Sequence, residues 1–151
     1  MNQNNFDSKV LEHMKNILVE CLYYANNETN NITTIYIYIS FEWVIYFNVF
    51  FLLSNNQLYR KHKINNFITN ANTSSENQSM LNKYCNLELN EIKQLFIEDD
   101  REVPTQIKIK YSTNGKFETK FSYEKHHNTE LFIGDDEVAN EWFEEIQKMA
   151  Y

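Results

Sequence analysis

The longest apolar run of the chain extends from residue 35 to residue 53, and it begins with strict alternation. Three isoleucines fall on one parity and two tyrosines on the other: Ile35, Ile37 and Ile39 against Tyr36 and Tyr38. A period of two is typical of a β-strand. At 19 residues the run approaches the roughly 20 that a membrane-spanning helix needs. Glu42 and Asn48 interrupt it, however, and β-branched and aromatic residues dominate it.

The run therefore predicts two strands, at about 33–40 and 43–53, and no membrane span. The second strand is apolar on both parities, which predicts a central place in the sheet with cover on both faces. The segment "SNNQ" at 54–57 predicts a turn. A third, more polar strand is expected over "LYRKHKI" at 58–64, where the charged side chains would protect an exposed sheet edge. This basic stretch is too narrow for a nucleic-acid footprint, so we expect no direct nucleic-acid binding.

Helical spacing appears on either side of these strands. Apolar residues recur every three or four positions over 6–25, 76–98 and 135–150, which predicts three amphipathic helices. Asp7 or Ser8 is available near the start of the first helix. Residues 65–75 are rich in Asn, Thr and Ser and predict a loop. Ser75 followed by Gln78 has the spacing of a capping box for the second helix.

Two further strands are predicted around "STNG" at 112–115, because Asn-Gly is a strong hairpin signal between alternating apolar positions. The predicted order is helix, three strands, helix, two strands, helix. This order indicates an α+β fold with helices packed on a mostly antiparallel sheet. The chain shows no internal repeat, and residues 1–151 are predicted to form a single domain.

Charge and cysteine content narrow the class of protein. Lys and Arg number 14 against 21 Asp and Glu, a net charge of −7 that favours a basic protein partner or plain solubility. Cys21 and Cys85 lack metal-ligand spacing and fall on apolar helix faces, so they are predicted to be buried thiols in a reducing compartment. The N-terminus has no secretory pattern, which predicts a cytoplasmic protein.

No pattern of catalytic residues emerges. Two glycines are too few for a glycine-rich phosphate loop. His126 and His127 are predicted to be an exposed polar pair without a third metal ligand, and His13 and His62 to be isolated surface residues. Glu88 falls within the apolar arc of its helix, so it should lie at a rim or be paired. We therefore predict that the protein is not an enzyme and has no cofactor, metal or catalytic residue.

Three segments carry a resemblance to a known family: "TIYIYISFEWVIYFNV", "LELNEIKQLFIEDDREVPT" and "IKIKYSTNGKFETKFSYE". With the order of elements, they resemble the YezG-like immunity proteins of bacterial toxin systems over about residues 8–125. The resemblance implies a protein that binds and neutralises a cognate toxin, commonly a nuclease. The long Asn/Thr/Ser loop and the short acidic C-terminal helix depart from the family pattern. An adaptor or structural module, or a small enzyme of unfamiliar type, remains an alternative.

Two groups of acidic residues are the candidate toxin-binding sites. One lies at the end of the second predicted helix, where the helix dipole disfavours negative charge, and the other lies along the third. The candidates are Glu98, Asp99, Asp100, Glu102, Asp136, Glu137, Glu141 and Glu144. Either group is equally compatible with a solvated surface. As binding sites they would face the basic groove that a nuclease needs for phosphates, and they would speed association by electrostatic steering.

Overall fold

Three helices and a five-stranded sheet make up the fold of this protein, seen in a computed structural model that describes residues 2–150. The elements are α1 (Gln3–Tyr24), β1 (Ile32–Ser40), β2 (Tyr46–Leu53), β3 (Leu58–Arg60), α2 (Ser75–Glu98), β4 (Gln106–Ser112), β5 (Phe117–Ser122) and α3 (Asp135–Ala150). The α+β class and the predicted order are confirmed. Met1 and Tyr151, at the two ends of the predicted domain, lie outside the described residues.

The sheet is antiparallel throughout, in the order β3-β2-β1-β4-β5. Strand β1 is central, with Ile37 opposite Val49 of β2 and Ile109 of β4. The alternation in the sequence separates two faces: the isoleucines of β1 point to one layer of helices and its tyrosines to the other. The apolar run is a pair of strands, as predicted. Strand β2 is covered on both faces as predicted, but it lies second from the edge, and β1 is the central strand.

Helices α1 and α2 cover the isoleucine face. Near the start of α1 and the end of α2, Phe6 and Phe96 meet edge to face with ring centroids 4.9 Å apart, so the two helices run antiparallel. Cys21 and Cys85 lie between them, fully buried and with free thiols. Burial, and then the neighbouring Cys85, raise the pKa of the Cys21 thiol. The predicted burial of both cysteines is confirmed.

Helix α3 covers only part of the opposite face. Phe143 packs edge to face on Phe50 at 5.0 Å, and Trp142 meets Tyr36 at 5.8 Å. The covered residues lie on β1, β2 and β3. Beside α3, Lys108, Lys110 and Lys120 line an open cleft over β4 and β5.

Three predicted boundaries are wrong, each for a local reason. Strand β2 begins at Tyr46, because residues 41–45 form the turn from β1 and expose Trp43 and Val44. Strand β3 ends at Arg60, and a 3₁₀-helix over Lys61–Asn66 replaces the rest of the predicted strand. Helix α1 begins before Asp7 and Ser8, because the Asn2 side chain caps it by accepting from the Asn5 N–H.

The predicted capping box of α2 is also wrong. Ser75 is the first helical residue, and Ser74 is the N-cap, its Oγ accepting from the Asn77 N–H at 3.2 Å. Gln78 instead donates to the carbonyl of Thr73 at 2.8 Å. The predicted hairpin between β4 and β5 is confirmed, with Gly115 at a φ of +100° that favours glycine.

No helix in residues 2–150 combines the length and the apolar character that crossing a lipid bilayer requires.

The register of the β4–β5 hairpin makes a prediction about stability. Lys108 lies directly opposite Lys120, whereas Lys110 lies opposite Glu118. Like charges directly opposite each other destabilise a sheet and opposite charges stabilise it. We expect Lys120→Glu to raise the free energy of unfolding by about 0.5 kcal/mol.

Lys110→Glu is the matched control, because it makes the same change in net charge but places two acids opposite each other. It should lower the free energy of unfolding. Urea unfolding of both variants measures the two effects, and shifts in the same direction would contradict the cross-strand explanation.

Candidate protein-binding surface

Both groups of predicted acidic residues begin at the same end of the sheet, although they lie far apart in sequence. Here β1 and β5 end and β2 and β4 begin, so residues 41–45, 98–105 and 123–137 come together. The Phe41 N–H donates to the Thr105 carbonyl, and the Thr105 N–H donates to the Ser122 carbonyl, each at 2.9 Å. We call these three segments the acidic end.

The acidic end holds more negative charge than the net charge of the whole chain. Its 28 residues include ten acids and two bases, Arg101 and Lys125, for a formal charge of −8. The whole chain has a net charge of −7, so the other residues together carry +1. The charge is therefore concentrated in the segments at one end of the sheet, which the sequence order does not reveal.

A buried network of ionisable side chains holds the acidic end together. The Glu42 carboxylate accepts hydrogen bonds from the backbone N–H groups of His126 and His127, at 2.8 to 3.2 Å. The His127 ring is buried, and its Nε2 lies 2.7 Å from Oδ1 of Asp135 and 3.5 Å from Oε2 of Glu42. The prediction of an exposed His126–His127 pair is thus wrong for His127, which is 3% exposed.

The network leaves one nitrogen of His127 without a partner. Nε2 lies against Asp135, and Nδ1 is buried without a hydrogen bond to any described residue. The Trp43 ring packs edge to face against the His127 ring, with the two ring centroids 4.0 Å apart. Trp43 is therefore fixed by a buried side chain while half of its own surface stays open.

Tyr46 attaches the first turn of α3 to the sheet. The Tyr46 hydroxyl donates to Oδ1 of Asp136 at 2.6 Å. Burial, and then Asp136, raise the pKa of Tyr46 well above its usual range. Burial, and then the carboxylate of Asp135, raise the pKa of Tyr38 as well. Asp136, a candidate toxin-binding residue, therefore has a structural role as well.

Four large apolar side chains are exposed at the acidic end. They are Trp43, Val44, Leu131 and Phe132, which are 53%, 69%, 66% and 85% exposed. We call them the apolar patch. Trp43 and Val44 come from the β1–β2 turn, and Leu131 and Phe132 from the loop before α3. A cleft of about 410 Å³ lies beside the patch, lined by Trp43, Thr129, Phe132, Ile133, Gly134 and Glu137.

Phe132 has an unfavourable backbone conformation for a phenylalanine. Its φ of +55° lies in the left-handed region, which bulky residues other than glycine rarely adopt. The backbones of Asn128 and Ile133 pair on either side of it, with two N–H···O bonds of 2.8 Å. This pairing thus holds the backbone of Phe132 at a position where its ring is exposed to solvent. Strain of this kind concentrates at functional sites.

The first group of candidate acids adopts two roles. Asp99 accepts from Nε of Arg101 at 2.6 Å, and this hydrogen bond lowers the pKa of Asp99. The Arg101 guanidinium in turn stacks over the Phe6 ring at 3.9 Å. Glu98, Asp100 and Glu102 are exposed around this cluster. These three can meet a partner without any change in the core.

The second group of candidate acids divides in the same way. Glu137 caps α3, because its Oε2 accepts from the Gly134 N–H at 3.1 Å. Glu144 accepts from the Asn140 amide at 3.2 Å. Glu141 and Glu144 are exposed further along α3, outside the acidic end. Asp136 and Glu137 therefore lie at the same end of the sheet as the first group, but on the face that α3 covers, and Glu141 and Glu144 lie further along α3.

Glu88 has a partner that the sequence did not reveal. Its Oε2 lies 2.6 Å from Nδ1 of His13 and 3.3 Å from the Asn16 amide nitrogen, so it bridges α1 and α2. Glu88 meets both predicted possibilities, because it is partly exposed at the rim and paired, and the prediction of an isolated His13 is wrong. The pair lies on the helical layer and lines none of the clefts described here.

No group of three or more His, Cys, Asp and Glu side chains in residues 2–150 is arranged to hold a metal ion. No known protein family matches this chain, and a search of curated proteins finds no similar protein. The resemblance to YezG-like immunity proteins therefore stays a prediction.

The buried network makes a prediction about stability. His127→Ala leaves the carboxylates of Glu42 and Asp135 without their shared partner, so we expect a loss of about 3 kcal/mol in the free energy of unfolding. Chemical unfolding, followed by far-ultraviolet circular dichroism, measures it.

His126→Ala is the matched control. It preserves the backbone N–H groups that Glu42 binds and removes only a 2.9 Å hydrogen bond to Ser122 Oγ. Its loss should stay at or below about 1 kcal/mol. Equal losses in the two variants would show that the His127 ring does not organise this region.

Proposed function

We propose that this protein binds and neutralises a basic protein partner through the acidic end, in the manner of an immunity protein that neutralises a toxin in the cytoplasm. One observation carries the proposal. Four exposed apolar side chains, of which Trp43 packs on the buried network, lie in segments that together have a formal charge of −8.

The patch has the composition of a binding site for a protein. Binding energy at interfaces concentrates in a few aromatic anchors surrounded by a polar rim. Trp43 packs on His127 and would therefore lose little side-chain freedom on binding, and the loop fixes the backbone of Phe132. This pre-organisation favours affinity, because ordering costs are lower. Exposing such residues has no benefit for folding of the free chain.

The surrounding acids define the chemistry of the partner. A surface of this charge attracts a basic protein, raises the association rate and makes that rate sensitive to salt. A nuclease presents a basic groove to the phosphate backbone of its nucleic-acid substrate. A cognate nuclease toxin therefore fits the surface, and the resemblance to YezG-like immunity proteins supports the same partner. Inhibition would follow from occlusion of the groove or of a basic surface beside it.

An adaptor that binds a basic protein other than a toxin would use the same surface. The partner's activity distinguishes the two. The product of the adjacent upstream open reading frame is the first partner to test, and its nuclease activity is measured with and without this protein at low and moderate salt. Silencing of the nuclease supports the immunity function, and binding without any loss of toxic activity supports the adaptor.

Anchor residues are tested by the dissociation rate. Trp43→Ala and Phe132→Ala should each weaken binding by about 2 kcal/mol, roughly 30-fold, through faster dissociation. Tyr23→Ala and Leu87→Ala are matched controls, because both side chains are exposed but lie on α1 and α2. Surface plasmon resonance gives both rates. Equal losses at the two sites would refute the proposed surface.

The acids are tested by the association rate. Replacing Glu98, Asp100 and Glu102 together by Gln should slow association about tenfold at low salt and flatten its salt dependence. Replacing Glu141, Glu144 and Glu145 by Gln removes the same charge outside the acidic end and should have a smaller effect. If both triple variants bind at the original rate, steering by the acidic end is wrong.

A further inference from the structure

We propose that the cleft between Trp43 and Phe132 is a receptor for one arginine side chain of the partner, with Glu137 as the counter-ion. The inference rests on the proposed function, because it assigns the partner's chemistry at the same surface. It also commits to one kind of occupant. A guanidinium group needs a flat aromatic face and a carboxylate within reach at the same time.

The glycine at position 134 brings these two groups together. A Cβ atom placed on Gly134 would lie 3.5 Å from Cζ3 of Trp43 and 3.5 Å from Oε2 of Glu137. The indole edge and the carboxylate are therefore at most 7.0 Å apart. A planar cation inserted between them contacts both. Any side chain at position 134 would occupy part of this space.

Glu137 has the capacity to bind such a cation. Its Oε2 accepts one hydrogen bond, from the Gly134 N–H at 3.1 Å. No Lys, Arg or His among residues 2–150 forms an ion pair with it. Nearby acids in the same segments strengthen the field. They are Glu42, Glu124, Glu130, Asp135 and Asp136, against one basic residue of the loop, Lys125. The cleft therefore presents an uncompensated carboxylate beside aromatic rings.

The chain itself uses the proposed arrangement twice. The Arg101 guanidinium lies 3.9 Å above the Phe6 ring and donates to Asp99. The Arg60 guanidinium lies 4.0 Å above the Phe143 ring and donates to the Asn140 side chain. In both, an arginine stacks on a ring and bonds an oxygen beside it. At the cleft, the ring and the oxygen are present and the arginine is left to the partner.

Arginine fits better than lysine or an apolar side chain. Its planar guanidinium stacks on an indole face and keeps donors at its edge for the carboxylate, whereas an ammonium is a compact and strongly hydrated charge. Trp is the strongest aromatic partner for a cation. An apolar side chain would leave the Glu137 carboxylate desolvated without a partner, which costs binding energy. Arginine is thus the side chain that satisfies every group lining the cleft.

The experiment uses the intact protein and three small probes in NMR titrations. N-acetyl-arginine methylamide is compared with the citrulline analogue, which has nearly the same shape but no charge, and with the lysine analogue. Trp43 and Trp142 are the two tryptophans, so two indole N–H signals are expected and Trp142 serves as an internal reference. We expect saturable shifts at the Trp43 indole and the Gly134 amide, with binding of citrulline about tenfold weaker and of lysine intermediate.

Two variants test the residues. Glu137→Gln keeps an oxygen that can accept from the Gly134 N–H, so the start of α3 is preserved while the charge is lost. It should weaken arginine binding about tenfold. Trp43→Leu should abolish saturable binding. Glu144→Gln, an equal change in charge on α3 outside the cleft, should leave binding unchanged. Circular dichroism checks that each variant folds.

The outcomes separate this inference from the proposed function. Equal binding of arginine and citrulline, or no effect of Glu137→Gln, would overturn the arginine receptor. If partner binding still depended on Trp43 in that case, the proposed function would stand with another side chain in the cleft. Conversely, selective arginine binding together with a partner that ignores Trp43→Ala would refute the proposed surface and the partner as the source of the arginine, and would leave a cleft that binds arginine from another source.

Discussion

The acidic end depends on one carboxylate. Glu42 follows the central strand and accepts the backbone N–H groups of two consecutive residues, His126 and His127, from the loop after β5. This loop leads to α3, and His127 binds Asp135 at the first residue of that helix. Without Glu42, the N–H groups of His126 and His127 would lose their partner, and the path from β5 to α3 would lose its bond to the end of the central strand. The position of Trp43 follows from the same attachment.

The rigidity of this region comes from the sheet beneath it. Strand β1 is buried on both faces, so its register is specified twice, by the isoleucines under α1 and α2 and by the tyrosines under α3. Glu42 and Trp43 come within three residues of the end of that strand. The fixed register of β1 therefore also fixes the positions of Glu42 and Trp43. A site built this way presents its side chains with less freedom than one on a long loop.

Periodic features of the chain could be predicted from the sequence, and contacts between distant segments could not. Alternation at Ile35–Ile39 and the Asn114-Gly115 turn are local signals, and both appear as predicted. The burial of His127 depends on Glu42, 85 residues away, and the pairing of His13 depends on Glu88, 75 residues away. Nothing in either neighbourhood specifies the partner. The one available signal was Glu42 itself, an acid inside an apolar run, which needs a buried partner when the run folds.

The distribution of charge is difficult to explain by stability alone. The acidic end places ten acids near one another with two bases, and like charges at this density repel. The rest of the chain has a charge of only +1, and its basic residues are on other surfaces. A chain selected only for folding would gain by mixing these charges. The four exposed apolar side chains in the same segments have a different cost, because they favour unwanted association with other molecules. Repulsion between the acidic residues of two copies discourages association through the apolar patch. A basic partner is attracted by the acidic residues and by the apolar patch. The two unfavourable features together therefore give selectivity that neither supplies alone.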